Sequence, residues 1–297
     1  MDRPVRRATR EEYEARIIRV QEYIHEHMDE TLSLNGLAEI ACLSQYHFHR
    51  IFIAMVGETP ADYLRRLRLE RAAALLARGE ARVGEAAQSA GYESPEAFSR
   101  AFRERYGMPP ATYRHHHYDR LIPEGAPDFF FRPKVIRLTG VHMEVKIEKL
   151  GPHNVAFVRH IGPYMACTPA WVKLCGSKKL MEQYRPGTLF LSLCFDDPQK
   201  TAPDQIRMDV CMTVGAEFHG DGEIKVKEIP AGEFAVLRHT GPYSGLLARY
   251  MYVYSEWLPD SGREPADAPC MEIYRNNPDK TPEDKLITDI CVPLKSL

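Results

Sequence analysis

The spacing of apolar positions changes character along this 297-residue chain, from helical in the first part to strand-like in the second. In LSLNGLAEIA, Leu34, Leu37, Ala38 and Ala41 recur at the i, i+3, i+4 and i+7 positions that bury one helical face. Cys42 and Leu43 break the pattern. Ser44 then stands where a cap is needed for a second helix, QYHFHRIFIAMV, which Gly57 stops and after which Pro60 opens the next. Phe48, Ile51, Phe52 and Met55 are predicted to point inward, which leaves Gln45, Tyr46, His49 and Arg50 on the outer face. The segment repeats at an offset of 50: Ser44, Phe48, Arg50, Phe52, Gly57, Pro60 and Tyr63 recur as Ser94, Phe98, Arg100, Phe102, Gly107, Pro110 and Tyr113. In the second copy Ser94 caps PEAFSRAFRERY, Pro95 takes the first helical position, and Glu96, Ser99, Arg100 and Arg103 face out. PADYLRRLRLERAAALLARG joins the copies as one helix of about 18 residues, roughly 27 Å long, close to the ~34 Å between successive major-groove segments on one DNA face. A polar, planar and cationic outer face suits such a groove.

The stretch YDRLIPEGAPDFFFRPKVIRLTG carries three prolines and no helical period, which marks a boundary. Its Phe129 to Phe131 are too apolar for a free tether and are expected to pack. Beyond it the pattern alternates, and a second repeat appears at an offset of 79: VKIEKLGPHNVAFVRHIGPY matches IKVKEIPAGEFAVLRHTGPY. Helical segments with Trp171 and Trp257 follow, and each copy closes on a strand pair, IRMDVCMTV being echoed by LITDICVPL. A duplicated strand-helix-strand-strand unit fuses naturally into one antiparallel sheet with helices on one face. The predicted fold class is therefore α+β in two domains: an all-α tandem helix-turn-helix domain over 1–117, a linker over 118–142, and the duplicated α+β domain over 143–297. The groove along the pseudo-twofold axis of the sheet is the expected ligand site. Arg159–His160 and Arg238–His239 invite a catalytic reading, but their recurrence in both copies favours a scaffold role.

Charge and cysteine content narrow the function. The formal net charge is -2, which argues against general polyanion binding by the whole chain. Residues 1–117 hold 17 Arg against 17 Asp plus Glu and no lysine, the first being Lys134, so any positive patch must be local. Seven cysteines are scattered singly without a Cys-x-x-Cys pair and are expected to be reduced and mostly buried. Consecutive imidazoles at His115 to His117 cannot all turn to one ion, so no metal is expected; with no nucleophile triad or metal signature no catalytic residue is expected either, and no other cofactor. MDRPVRRATREEYE carries charge where a signal peptide needs an apolar run, and no stretch approaches a membrane span, so a cytoplasmic location is expected.

Residues 17 to 117 resemble the AraC/XylS-type DNA-binding domain, through A-x-x-x-x-S-x-x-x-F-x-R-x-F followed by G-x-x-P-x-x-Y-L-R-x-x-R-L-x-x-A, and through the G-Y-x-S-x-x-x-F-S-R-A-F-R-x-x-Y-G-x-x-P-x-x-Y-R ending. The resemblance implies base contacts from Tyr46, His49 and Arg50, with Gln45 on the same face, and from Glu96, Ser99 and Arg100. Pro95 and Glu96 stand where relatives often carry neutral polar residues. Nearly all of 143–297 resembles the GyrI-like effector domain, through R-H-x-G-P-Y twice, E-W-L-P-D-S-G, M-E-I-Y-R-N-N-P and the I-x-V-P-L ending, in a Rob-like architecture. That family places an acidic residue at the base of an aromatic-lined pocket, here Glu272, with Tyr164, Tyr243, Trp257 and Tyr274 as walls. The combination implies a transcription regulator, by analogy an activator. Its partners would be double-stranded DNA, RNA polymerase and an aromatic or cationic small-molecule effector, with no membrane. Alternatives remain open. Glu272 could be an ordinary strand-end carboxylate paired with Arg275 or Lys285, or the general base of a small-molecule hydrolase, and the second domain could be a protein-protein docking module.

Overall fold

The computed structural model describes residues 9–117, 133–136, 142–196 and 201–296. The linker expected over 118–142, Phe129 to Phe131 included, lies largely outside them, as do the side chains of His116 and His117. The chain forms two compact units: Arg16–Ala41 with Glu58–Val135, and Met1–Ala15 with Cys42–Gly57 and Ile136–Leu297.

Among the described residues of the first 117 there are seven helices: α1 (Arg10–Glu26), α2 (Leu34–Ile40), α3 (Gln45–Val56), α4 (Pro60–Ala77), α5 (Val83–Ser89), α6 (Pro95–Tyr106) and α7 (Pro110–His117). In the first unit α4 packs against α5 and α7, and α5 against α6. Their core is Leu69, Ala72, Leu76, Ala86, Phe98 and Phe102, five of which are fully buried, with Leu69, Ala72 and Leu76 on α4 and Phe98 and Phe102 on α6 spaced three or four residues apart. The ends follow local chemistry. Thr59 accepts from the Asp62 amide at 3.0 Å to start α4, and Ser94 accepts from the Ala97 amide at 3.2 Å to start α6. Gly107 ends α6 at φ 74° and Gly57 ends α3 at φ 88°, conformations that a side chain would resist. Ser44 holds the cap position of α3 with extended backbone but its hydroxyl makes no capping hydrogen bond, so only its place was anticipated.

The second unit is built on one antiparallel eight-stranded sheet in the order β1-β6-β8-β7-β3-β4-β2-β5. The strands are β1 (Val145–Leu150), β2 (His153–Ile161), β3 (Phe190–Cys194), β4 (Arg207–Thr213), β5 (Lys225–Ile229), β6 (Gly232–Thr240), β7 (Cys270–Tyr274) and β8 (Ile287–Leu294). Exchanging each strand with its repeat mate reverses this order onto itself, so the duplication is a twofold whose axis passes between β3 and β7. The repeats interlock, since β1 pairs with β6 and β5 with β2, each opening strand crossing to the other copy. Alternation puts Val155, Leu191, Met271 and Cys291 into the core on one face. Ala156, Val158, Val210 and Met212 lie on the other face with α8 (Thr168–Gly176) and α9 (Lys178–Met181). The second copy follows with α10 (Leu246–Tyr252), a π-helical turn Val253–Trp257 and α11 (Leu258–Asp260).

The repeated Arg–His pairs hold this scaffold. Arg159 on β2 pairs with the fully buried Asp209 of β4, and Arg238 on β6 with the buried Asp289 of β8 at 2.7 Å. His160 and His239 each place Nε2 3.0 Å from the carbonyl of the Pro three residues on, fastening the Gly-Pro turn. Among the described residues no group of three or more His, Cys, Asp or Glu could hold a metal ion, and no helix is long and apolar enough to cross a membrane. The cysteines are free thiols, with Cys194, Cys211, Cys270 and Cys291 buried and Cys42 and Cys175 exposed.

Candidate effector groove and DNA-reading helices

Ser192 and Glu272 face each other across the β3–β7 pair, at the axis of the duplication. Glu272 is 8% exposed. Its oxygens accept from the Tyr250 hydroxyl at 3.1 Å and the Tyr274 hydroxyl at 3.0 Å, and Ser192 completes the chain by bonding the Tyr274 oxygen at 2.7 Å. Burial pushes the Glu272 carboxyl above its ordinary range, against the pull of the Tyr274 and Tyr250 hydroxyls and of the Arg50 guanidinium. Arg275, one of the partners weighed for Glu272, turns instead to Asp289 at 2.6 Å.

Rings gather around this carboxylate. Tyr243 and Trp171 meet Tyr274 edge to face, with centroids 5.7 Å and 5.5 Å apart, and Tyr250 stacks on Tyr254 at 6.5 Å. Tyr164 bonds the Asp196 carbonyl. Of the four aromatic walls anticipated, Tyr243 and Tyr274 join one cluster with Trp171, whereas Trp257 is half-buried in the π-helical turn and is not among the rings meeting at Tyr274. Trp171 and Tyr250 were missed. Both lie on helices whose rotation about the sheet the strand pattern does not encode.

The helices expected to read DNA differ from each other. On α6 only Phe98 and Phe102 are buried. Glu96 and Arg100 are exposed, Ser99 is half-buried, and all three share one open face with Pro95, Arg103 and Glu104. On α3, nine of twelve residues are buried. Gln45 is exposed and Tyr46 half-buried, but His49, expected on the outer face, is 2% exposed, and Arg50 is partly covered. Arg50 is covered because α3 packs against α10 and the π-helical turn within its own unit. Arg50 Nη1 donates to Cys270 Sγ at 2.8 Å, Nη2 to the Asp196 carbonyl at 3.2 Å, and the guanidinium lies 5.3 Å from the Tyr250 ring centroid. One turn away, His47 is fully buried with Nε2 2.9 Å from the Ala266 carbonyl and Nδ1 2.9 Å from the Tyr254 hydroxyl. A carbonyl only accepts, so Nε2 carries the proton and Nδ1 takes the one from Tyr254. The Tyr254 oxygen is then left to accept from the Cys270 thiol 3.2 Å away. Every donor in the chain from Arg50 to Ala266 thus has an acceptor. Burial, reinforced by Arg50, lowers the His47 pKa to about 3, which keeps the ring neutral.

Residues 143–295 match the family described as the GyrI-like small molecule binding domain. The chain belongs to the GyrI-like family. Residues 37–116 match a helix-turn-helix domain family, so an AraC-type helix-turn-helix region precedes the GyrI-like domain. The HTH-type transcriptional regulator YbfP of Bacillus subtilis (strain 168) is 38% identical over 102 residues, 34% of this chain and 35% of YbfP, so the chain spans little more than a third of that relative. The regulatory protein SoxS of Escherichia coli (strain K12) is 34% identical over 93 residues, 31% of this chain and 87% of SoxS. YgiV of the same organism, named a probable transcriptional regulator, is 28% identical over 165 residues, 53% of this chain and 99% of YgiV.

Proposed function

We propose that this GyrI-like chain is a sequence-specific transcription regulator of the cytoplasm. Residues 1–117 read double-stranded DNA in the major groove, 118–142 are the linker, and 143–297 bind an aromatic or cationic effector. In this reading Gln45, Tyr46, His49 and Arg50 of α3 and Glu96, Ser99 and Arg100 of α6 contact DNA, and Glu272, Tyr164, Tyr243, Trp257 and Tyr274 serve the effector, with Trp171 and Tyr250 added to them. The protein acts as an activator and so meets RNA polymerase. The observation that carries the effector class is the buried Glu272, held by two tyrosine hydroxyls at the floor of an aromatic cluster. A carboxylate so placed is costly without a cation, and each ring face adds about 0.5 to 2 kcal/mol of cation-π attraction.

Calorimetric titration of the full chain with benzamidinium, and with neutral benzamide as the isostere, tests this reading. Benzamidinium should bind more tightly, and Glu272→Gln should erase the difference. Equal binding of the two by the unmodified protein would refute a cation site. The hydrolase reading draws on the same raised carboxyl; consumption of a bound ester that stops in Glu272→Gln would favour it over simple binding.

A further inference from the structure

α3 carries a second apolar face that its repeat mate lacks. At the offset of 50, Arg103 and Glu104 of α6 correspond to Ile53 and Ala54 of α3, which lie off the inward face of Phe48, Phe52 and Met55 and are buried. A helix apolar on both sides is built to be covered on both sides. His47, Arg50 and Ala54, at i, i+3 and i+7, form one line along it. His47 and Arg50 are the residues that reach into the groove region, and the cation they bring is a guanidinium lying over Tyr250 and acting on Glu272.

We propose that α3 is the internal occupant of the effector groove, an autoinhibitory plug whose Arg50 guanidinium stands in for a cationic effector and whose release by that effector frees Arg50 to read DNA. The inference rests on the effector and DNA readings proposed above and adds how they are coupled. Cys270 and the Asp196 carbonyl hold the Arg50 guanidinium against β7 and the end of β3, so it must leave them before its fork can meet a base edge, and docking and base reading by this residue exclude each other. The apparent DNA affinity is the intrinsic one reduced by the released fraction. Effector and DNA both select the released helix, so each must raise the affinity for the other by the same factor.

The test needs variants on the groove side, away from residues proposed to touch DNA. Tyr254→Phe removes the hydroxyl between Cys270 and His47. Cys270→Ala removes the acceptor of Arg50 Nη1 and repeats the test with a smaller change. Full-length proteins are compared by fluorescence anisotropy on the duplex selected from a random pool, and by amide hydrogen exchange over residues 45–56. Without any ligand, each variant should exchange faster over α3 and bind the duplex about 3- to 10-fold more tightly, the range expected from one buried hydrogen bond. Faster exchange with unchanged or weaker DNA binding would overturn the proposal, as would unchanged exchange in both variants. Saturating benzamidinium should tighten DNA binding of the unmodified protein and do less in the variants. Bound benzamidinium that leaves DNA affinity unchanged also overturns the coupling. If benzamidinium does not bind, the effector reading fails by itself, and the ligand-free variants alone decide whether α3 is a plug.

Discussion

Lowering the pH from 7.5 to 5.5 loads a proton onto His47 wherever its ring meets water, but not where it is docked between Tyr254 and Ala266. The docked ring has a pKa of about 3 against an ordinary 6.5. A depressed value gives a definite sign: docking is uncompromised above the ordinary pKa and is progressively lost as the pH falls below it toward the docked value. At pH 5.5 the released ring is about nine-tenths protonated and the docked ring scarcely at all, so docking should weaken by about 1.4 kcal/mol relative to pH 7.5, close to tenfold. The groups that face His47 do not blur this. Arg50 on its own helix stays charged. Tyr254 of the π-helical turn and Cys270 of β7 are both pushed upward by burial and stay neutral, and Ala266 and Ala268 offer only backbone. Glu272 lies farther along the groove, where burial raises its carboxyl against the opposing pull of Tyr274, Tyr250 and Arg50. Amide exchange over α3, corrected for the intrinsic pH dependence, should show the opening constant rising about tenfold across this window. His47→Gln separates the two groups. If the variant keeps the full slope, the proton goes to Glu272 and the His47 reasoning is wrong; if the native protein shows no slope, the ring is not hydrated on opening.

Two further outcomes follow from geometry already described. Arg100→Ala on the open face of α6 should cost about 1 to 3 kcal/mol of binding to the selected duplex and relax preference at one base position, read from a panel of single-base variants; uniform weakening across the panel would make Arg100 a phosphate contact. Asp289→Asn removes the shared partner of Arg238 and Arg275, and should lower stability toward urea by about 2 kcal/mol, less than for a fully buried pair because Arg238 remains largely hydrated.

Much of the fold was legible because it is written in short-range chemistry. The cap at Ser94, the opening of the 18-residue α4 at Pro60, and the stops at Gly57 and Gly107 all follow from local rules. The doubled strand pattern was legible for the same reason, as were the repeated Arg–His pairs, whose partners prove to be repeated as well. What escaped reading depends on how elements turn relative to one another. Trp171 and Tyr250 were missed because a helix over a sheet can present any of its faces. The covering of Arg50 was missed because the two helix pairs were read as equivalent. A signal for the difference was present: Ile53 and Ala54 against Arg103 and Glu104.

Both duplications keep the fold where their copies agree and acquire function where they differ. In the sheet, Asp209 and Asp289 hold equivalent places, each salt-bridged to the arginine of the neighbouring strand. At the axis, however, the repeat mate of Glu272 is Ser192, and the mate of Tyr274 is Cys194. Two carboxylates facing each other across β3 and β7 would repel at this separation, and one would be held protonated. A single carboxylate opposite a serine that relays through Tyr274 makes one polar floor with a defined orientation and leaves one negative charge for one cation. In the helices the matched residues Phe48 and Phe98, Phe52 and Phe102 keep the same inward face, and Ile53 and Ala54, where α6 has Arg103 and Glu104, make α3 apolar where α6 is charged. The break in one duplication therefore meets the break in the other: the helix with the extra apolar face delivers Arg50 to the half of the sheet that carries the extra carboxylate. Restoring symmetry at either place should act on both functions. Ala54→Glu would give the docked line of α3 the polarity of α6 and favour its release, and Glu272→Ser would make the axis symmetric, removing the one charge that acts on Arg50 and would hold an effector.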